Sequence, residues 1–323
     1  MSSSSTSTPP AEGAEATGAT GSAGATGSAG ATGSAGRDGS AGPREVADGY
    51  RAGRTLPVRV ELIRQLKRRR TLVMGGILFA LPFVLLVAFR IGGEPGGASN
   101  QVSLMDSATA SGANFAAVNL FASAGFLLVV PVALFFGDTV ASEAGWSSLR
   151  YLLAAPVPRA RLLWSKLVVA LLLSLAAIVL LPLVALAVGT VAYGWGPLEL
   201  PTGGSLPTGT AAERLAITVA YVFVSQLVTA ALAFWLSTKT DAPLGAVGGA
   251  VGLTIIGNVL DEVTALGDWR DFLPAHWQYA WLDTVRPDLD WTRLIQGTSL
   301  SVTYALVLFA LAFRNFARKD VVS

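Results

Sequence analysis

The chain of 323 residues contains no cysteine and a single histidine, His276. The absence of cysteine excludes disulfides, thiolate metal sites and cysteine nucleophiles, and one histidine cannot complete a His-Glu-x-x-His zinc motif. Charged residues are also scarce: they make up 14% of the chain, against about 25% in soluble domains. With 52% apolar residues and a mean hydropathy of +0.55, the composition indicates an integral membrane protein.

A strong net charge and a nucleotide-binding motif are missing as well. The formal net charge of +2 is too small to indicate nucleic acid as a partner. No glycine is followed by lysine, so the chain lacks the G-x-x-x-x-G-K-[ST] loop that cradles ATP. Arginine far outnumbers lysine and alanine and glycine are abundant, which is typical of a GC-rich bacterial genome.

Residues 1–56 form a polar Gly/Ala/Ser/Thr-rich tail in which glycine recurs at every third position from Gly18 to Gly42. This is the period of collagen, but only one of these triplets contains proline, Pro43, and a triple helix needs many more. We therefore predict a disordered cytoplasmic tether. No apolar stretch of the signal-peptide type precedes Leu72, so we expect no signal peptide.

Six apolar stretches are long enough to cross a bilayer, which takes about 20 helical residues. Together they predict an all-α polytopic membrane domain over residues 71–320. The predicted spans are residues 72–91, 115–137, 167–192, 215–237, 243–260 and 297–316.

The distribution of lysine and arginine predicts the orientation of these spans. Outside the tail of residues 1–56, fourteen of these residues lie before the first span or after the second, fourth and sixth, and five lie on the other side. Because basic residues concentrate on the cytoplasmic side, both termini are predicted to be cytoplasmic in a multi-pass protein of the cell membrane.

Residues 57–70 are predicted to form an amphipathic helix that lies flat in the inner headgroup layer. Pro57 suits the first helical position, and Val58, Leu62 and Leu66 recur every four residues. The alternative is a plain stop-transfer cluster, which explains residues 68–70 equally well but leaves the apolar stripe unexplained.

The segment 137–166, between the second and third spans, carries the strongest functional pattern. Ser142 or Thr139 could cap a helix whose apolar side begins at Trp146, and Pro156 and Pro158 would end it. We predict a short helix parallel to the membrane, joined by a rigid corner to the third span. Such a helix can carry a push from a cytoplasmic partner, although a connector without a partner stays an alternative.

Two stretches, VRVELIRQLKRRR at 58–70 and SEAGWSSLRYLLAAPVPRARLLWSKL at 142–167, together with six spans and cytoplasmic ends, resemble the permease subunits of type-2 ATP-binding-cassette (ABC) transporters. The resemblance covers residues 57–320 and implies an exporter-like fold. It makes the first stretch the elbow helix, with Glu61, Arg64 and Lys67. The second becomes the coupling helix that docks on the ATPase, with an interface of Glu143, Trp146, Arg150, Pro156, Arg159, Arg161 and Lys166.

The resemblance implies a transport subunit rather than an enzyme. ATP and Mg²⁺ are expected on a separate dimer of ATPase subunits, this chain is expected to carry no cofactor or metal, and a second permease copy would complete a homodimer or heterodimer in the lipid bilayer. Export is favoured because no solute-capturing domain is evident. A nucleotide-independent transporter or channel is the alternative, although it would be expected to bury ionisable residues in mid-span. A non-transporting envelope scaffold is a further alternative, and an intramembrane enzyme is disfavoured.

The fifth span and the segment after it complete the candidate features. Gly245, Gly248, Gly249 and Gly252 repeat in G-x-x-x-G register, which favours close helix packing, within the subunit or between subunits. Residues 261–296 mix aromatic and acidic side chains, which predicts short helices at the outer interface. In the resembled family, re-entrant helices precede the last span. His276 is expected to be an ordinary surface residue.

Overall fold

The computed structural model describes residues 58–92, 104–145 and 159–318 and, for residues 143–145 and 159, the backbone alone. The predicted tail, residues 1–56, lies outside the described residues. So do residues 146–158, which hold most of the predicted coupling helix.

The described residues are almost entirely helical, which confirms the all-α class. Long apolar runs favour helices, even around Pro82 of α2 and Pro182 of α5, because a helix satisfies most of its backbone hydrogen bonds internally, as lipid requires. The helices are α1 Val58–Leu66, α2 Arg69–Gly92, α3 Gly112–Ala124, α4 Val129–Gly145, α5 Arg159–Tyr193, α6 Thr208–Ser225, α7 Leu227–Lys239, α8 Pro243–Asp261 and α9 Trp291–Arg318. Between α8 and α9 lies the 3₁₀ segment, residues 264–285, with 3₁₀ helices at Thr264–Phe272, Pro274–Trp277 and Ala280–Val285.

Five helical stretches are long and apolar enough to cross a membrane, as expected of a multi-pass membrane protein. They are Arg69–Gly92, Ala160–Tyr193, Thr208–Lys239, Pro243–Asp261 and Trp291–Arg318. The pair α3 and α4 makes a sixth if it is counted as one span bent by 53°.

The predicted second span, residues 115–137, is therefore two helices rather than one. Residues 125–128 leave the helix, and the carbonyl oxygen of Ala124 instead accepts hydrogen bonds from Nε2 of Gln226 and Nε2 of Gln278, each at 3.0 Å. A Cβ added to Gly125 would lie 2.5 Å from the Tyr279 hydroxyl, so the break also admits the 3₁₀ segment.

Helix α4 extends further than the sequence suggested. It continues to Gly145, so Thr139 and Ser142 lie inside it and do not cap a new helix. Their hydroxyls donate back along the helix, from Thr139 to the Phe136 carbonyl at 2.7 Å and from Ser142 to the Asp138 carbonyl at 2.5 Å. Such back-bonding keeps these polar residues compatible with a helix interior.

Packing concentrates around α4, α7 and α9. The rings of Phe136, Phe234 and Phe309 from these helices pack in edge-to-face and tilted pairs, with centroids 5.8–6.1 Å apart. Phe136 and Phe234 are fully buried. By contrast, only 11% of the most apolar window of α2, and of α8, is buried within the chain. These two helices leave most of their surface for lipid or for another subunit.

Two short strands lie between α5 and α6. Strands β1, Leu198–Glu199, and β2, Ser205–Leu206, pair antiparallel through a turn in which Gly203 and Gly204 have φ values of 91° and 87°. The side chain of Asn114 in α3 pairs with the Glu199 backbone in both directions, at 2.8 and 2.9 Å, and so holds this hairpin to the bundle.

Candidate functional site

Helix α1 turns a polar side toward the bundle. Glu61 and Gln65 are buried against the rest of the chain, whereas Val60, Ile63 and Leu66 are more than 40% exposed. Of the predicted apolar stripe Val58, Leu62 and Leu66, only Leu66 is exposed, while the Glu61 carboxylate faces other helices.

Glu61 is the centre of the first group of ion pairs. Arg64 Nη2 donates to its carboxylate at 2.8 Å, Gln65 Nε2 donates at 3.0 Å, and Lys166 Nζ from α5 lies 3.7 Å away. Burial alone would raise the pKa of Glu61, but Lys166, Arg64 and Gln65 outweigh it and lower this pKa below its ordinary value. The carboxylate is therefore ionised at neutral pH and pairs with the buried Lys166.

Asp138 is the centre of the second group. This buried residue of α4 accepts hydrogen bonds from Arg68 Nη1 at 2.5 Å and from Arg70 Nη1 at 2.7 Å. The two arginines lie where α1 turns into α2. The basic run at 68–70 therefore binds a specific carboxylate, beyond any role at lipid headgroups.

Both groups flank the ends of the segment 146–158, and we call them together the ion-pair cluster: Glu61, Arg64, Lys166, Asp138, Arg68 and Arg70. Asp138 lies in the last turns of α4, which leads into this segment, and Lys166 lies in the second turn of α5, which leaves it. The cluster joins α1, α2, α4 and α5 at one end of the bundle, where a force applied to the segment would act on four helices.

The predicted coupling residues fall into three groups. Trp146, Arg150 and Pro156 lie outside the described residues. Glu143 and Arg159 are placed at the end of α4 and the start of α5, with only their backbone described. Lys166 is buried beside Glu61, so its contact is with α1.

The remaining predicted residues at this end are less buried. Arg161 is half-buried in the first turn of α5, and Lys67 is exposed between α1 and α2. Asp138 was not among the predicted site residues. The available signal was an aspartate directly after the Phe-Phe-Gly end of an apolar run, with an arginine cluster before another span.

The glycines of α8 differ in their surroundings. A Cβ added to Gly249 would lie 3.1 Å from Leu236 of α7, whereas within the described residues nothing lies within 4 Å of one added to Gly248 or Gly252. The nearest atoms to Gly245 belong to the residues just before its own helix. Helix α8 approaches α4 through a glycine that was not singled out, Gly137, whose added Cβ would meet Val247 at 2.8 Å.

The 3₁₀ segment forms the cap of the opposite end. His276 is only partly exposed, with Nδ1 2.8 Å from Asp261 Oδ1 and Nε2 3.5 Å from Asp271 Oδ1, so it joins the end of α8 to the segment. Asp283 is fully buried, with Arg286 Nε at 3.2 Å and Arg293 Nη1 at 3.5 Å. Within the described residues, no three His, Asp or Glu side chains are placed to hold a metal ion.

Comparison with known proteins places the chain in a family. The family described as "Protein of unknown function (DUF2705)" matches residues 83–322. The chain belongs to this family. The DUF2705 region begins within α2, so it includes Asp138 and Lys166 but not their partners in α1 and at the start of α2.

The chain is also similar to the uncharacterized protein YhcI of Bacillus subtilis (strain 168). The two are 27% identical over 197 residues, which cover 56% of this chain and 61% of YhcI. The chain thus matches less than two thirds of the length of that relative.

Proposed function

We propose that this DUF2705 protein is the membrane permease subunit of an ABC transporter, an exporter powered by ATPase subunits on a separate chain. The observation that carries the proposal is the ion-pair cluster, which holds α5 to α1 through Lys166 and Glu61 and holds α4 to the start of α2 through Asp138. A coupling helix can transmit force to the bundle only if the helices on either side of it are held to the other helices.

The cluster has a continuous mechanical connection to the rest of the bundle. Asp138 shares α4 with Phe136, whose ring packs on Phe234 of α7 and Phe309 of α9. One break, at residues 125–128, divides a candidate span into α3 and α4. Interrupted helices are common in transporters, in which rigid parts of the bundle move relative to one another.

The positions of the charges also favour this reading over a secondary transporter. Glu61 lies in α1 outside the candidate spans, Asp138 and Lys166 lie in the turns of α4 and α5 nearest residues 146–158, and Asp283 lies in the 3₁₀ segment. These buried ionisable residues therefore do not mark an ion path through mid-span. In the proposed orientation both termini and the cluster face the cytoplasm of a bacterial cell. A second permease copy would pack on the exposed surfaces of α2 or α8.

The first test is whether the neighbouring reading frame encodes a P-loop ATPase, and the second is co-purification of the full chain with that ATPase. Glu143→Ala and Arg150→Ala are expected to lose ATPase association or stimulation while inserting into the membrane at normal levels. Arg90→Ala, an exposed arginine at the other end of α2, is the matched control and should pair as wild type does. Normal pairing and stimulation in both variants would overturn the coupling assignment.

A further inference from the structure

A cleft of about 310 Å³ lies between α7, α8, α9 and the 3₁₀ segment. Its volume is at the lower end of the range for small-molecule sites, about 300–1,000 Å³. Leucines 232, 253 and 308 supply much of the apolar wall, one from each of the three helices. The cleft is therefore large enough for a small ligand. None of its lining residues belongs to the ion-pair cluster.

Carboxamide groups line the end of the cleft near the 3₁₀ segment. Gln226 is 4% exposed and uses Nε2 to donate to Ala124, but within the described residues nothing donates to its Oε1. Asn258 near the end of α8 makes no side-chain hydrogen bond to any described residue. Polar groups in apolar surroundings are stabilised when a partner satisfies them, so this end favours a ligand with hydrogen-bonding groups.

The described residues of the cleft include no charged side chain that could pair with a charged ligand. Among the described residues that line the cleft, only Tyr304 has an ionisable side chain, and its hydroxyl donates to the Phe272 carbonyl at 3.1 Å. An ion in the cleft would lose its hydration without gaining a counter-charge, which is costly in an apolar site. The ligand is therefore uncharged.

The opening of the cleft lies on the lipid-facing side of the chain. Leu253 and Tyr304 line the cleft and are 48% and 39% exposed, and their neighbours Ile256 and Val307 are more exposed still. All four belong to α8 and α9, which are long and apolar enough to cross a membrane. A molecule that enters here therefore comes from the hydrocarbon layer rather than from water.

We infer that this cleft binds an uncharged, single-chain amphiphile taken from the bilayer. Its chain packs against the three leucines, and its hydroxyl, ester or amide head hydrogen-bonds with Gln226 and Asn258. Binding at this site needs no ATPase, so it stands independently of the proposed function.

The experiment uses the purified full chain in nanodiscs and two probes with the same diazirine-bearing acyl chain. One probe is a neutral monoacylglycerol and the other is the anionic lysophosphatidic acid. Saturable photolabelling of α8 and α9 beside the cleft is expected with the neutral probe, and labelling about tenfold weaker with the anionic one, since it lacks a counter-charge. Equal or stronger saturable labelling by the anionic probe would overturn the assignment.

Two glycines on α8 provide matched variants. Gly257 lines the cleft, and a Cβ added there meets only Ala275 at 3.8 Å among the described residues, so Gly257→Leu fits its backbone and fills the site. Gly252→Leu adds the same side chain where the described residues leave open space. Gly257→Leu is expected to weaken saturable labelling about tenfold or more, and Gly252→Leu to leave it within about twofold.

Asn258→Leu supplies a second route that does not depend on steric filling. Losing its hydrogen bonds to the head group should weaken labelling about three- to tenfold. Labelling that does not saturate, or that Gly257→Leu and Asn258→Leu both leave unchanged, would mean ordinary annular lipid and would overturn the site. Loss of ATPase pairing with intact labelling would overturn the proposed function alone.

Discussion

Lys166 Nζ lies 3.7 Å from Glu61 Oε1, and the two side chains are only 4% and 10% exposed. This pair joins α1 to α5, the helix that follows residues 146–158. Buried ion pairs add little net stability, but removing one partner is costly because the other charge is left without compensation. The pair therefore fixes where α1 sits.

Glu61→Gln should destabilise the protein by about 3 kcal/mol, because it leaves the buried Lys166 without its carboxylate. The pH dependence follows from the lowered pKa of Glu61 in the folded protein. Its contribution is present above the ordinary value of 4.5 and is lost as the pH falls through the lowered folded value. Thermal unfolding in detergent should show this acid loss in wild type and a smaller loss in the variant. Identical acid slopes in both proteins would contradict the assignment.

Asp138→Asn should lower the free energy of unfolding by about 2 kcal/mol, because charge-assisted hydrogen bonds from Arg68 and Arg70 are weakened. Asp268→Asn changes an exposed aspartate of the 3₁₀ segment and is the control. Chemical unfolding in detergent measures both. If the two variants are equally stable, Asp138 does not anchor the start of α2.

The spans were predictable from sequence because each requires only a local run of apolar residues. The break at 125–128 was not, because the residues there are as apolar as their neighbours and the amides that satisfy Ala124 come from 102 and 154 residues away. Asp138 was missed as a site residue for the same reason, because its partner Arg68 is 70 positions away in the sequence. Local pattern reveals elements, whereas the partners of buried polar groups depend on the tertiary fold.

The two glutamines at the break should act as a non-additive pair. Gln226→Leu or Gln278→Leu alone should cost less than about 1 kcal/mol, because the Ala124 carbonyl keeps one donor. The double variant should cost about 2–3 kcal/mol, because the buried carbonyl then loses both. A double-mutant cycle in detergent measures the coupling, and strictly additive losses would mean that the two amides do not share this acceptor.

His276→Ala should loosen the 3₁₀ segment without unfolding the bundle. The imidazole contacts Asp261 of α8 and lies close to Asp271, so its removal leaves Arg270 Nε, 3.2 Å from Asp261 Oδ1, as the remaining charged contact of the segment with the end of that helix. Hydrogen exchange at residues 264–278 should accelerate, while exchange in α4 and α7 stays unchanged. Exchange that is unchanged at 264–278 would show that other contacts hold the segment.

The proposed function depends most directly on the side of the membrane on which residues 146–158 lie. Because the chain has no cysteine, single-cysteine variants Ser147→Cys and Asp268→Cys can be labelled with a membrane-impermeant maleimide without removing any native thiol. If the proposed orientation is correct, Ser147→Cys reacts in inverted vesicles and not in intact cells, and Asp268→Cys does the reverse. Reaction of Ser147→Cys in intact cells would contradict it, because a cytoplasmic ATPase could not then reach the coupling segment.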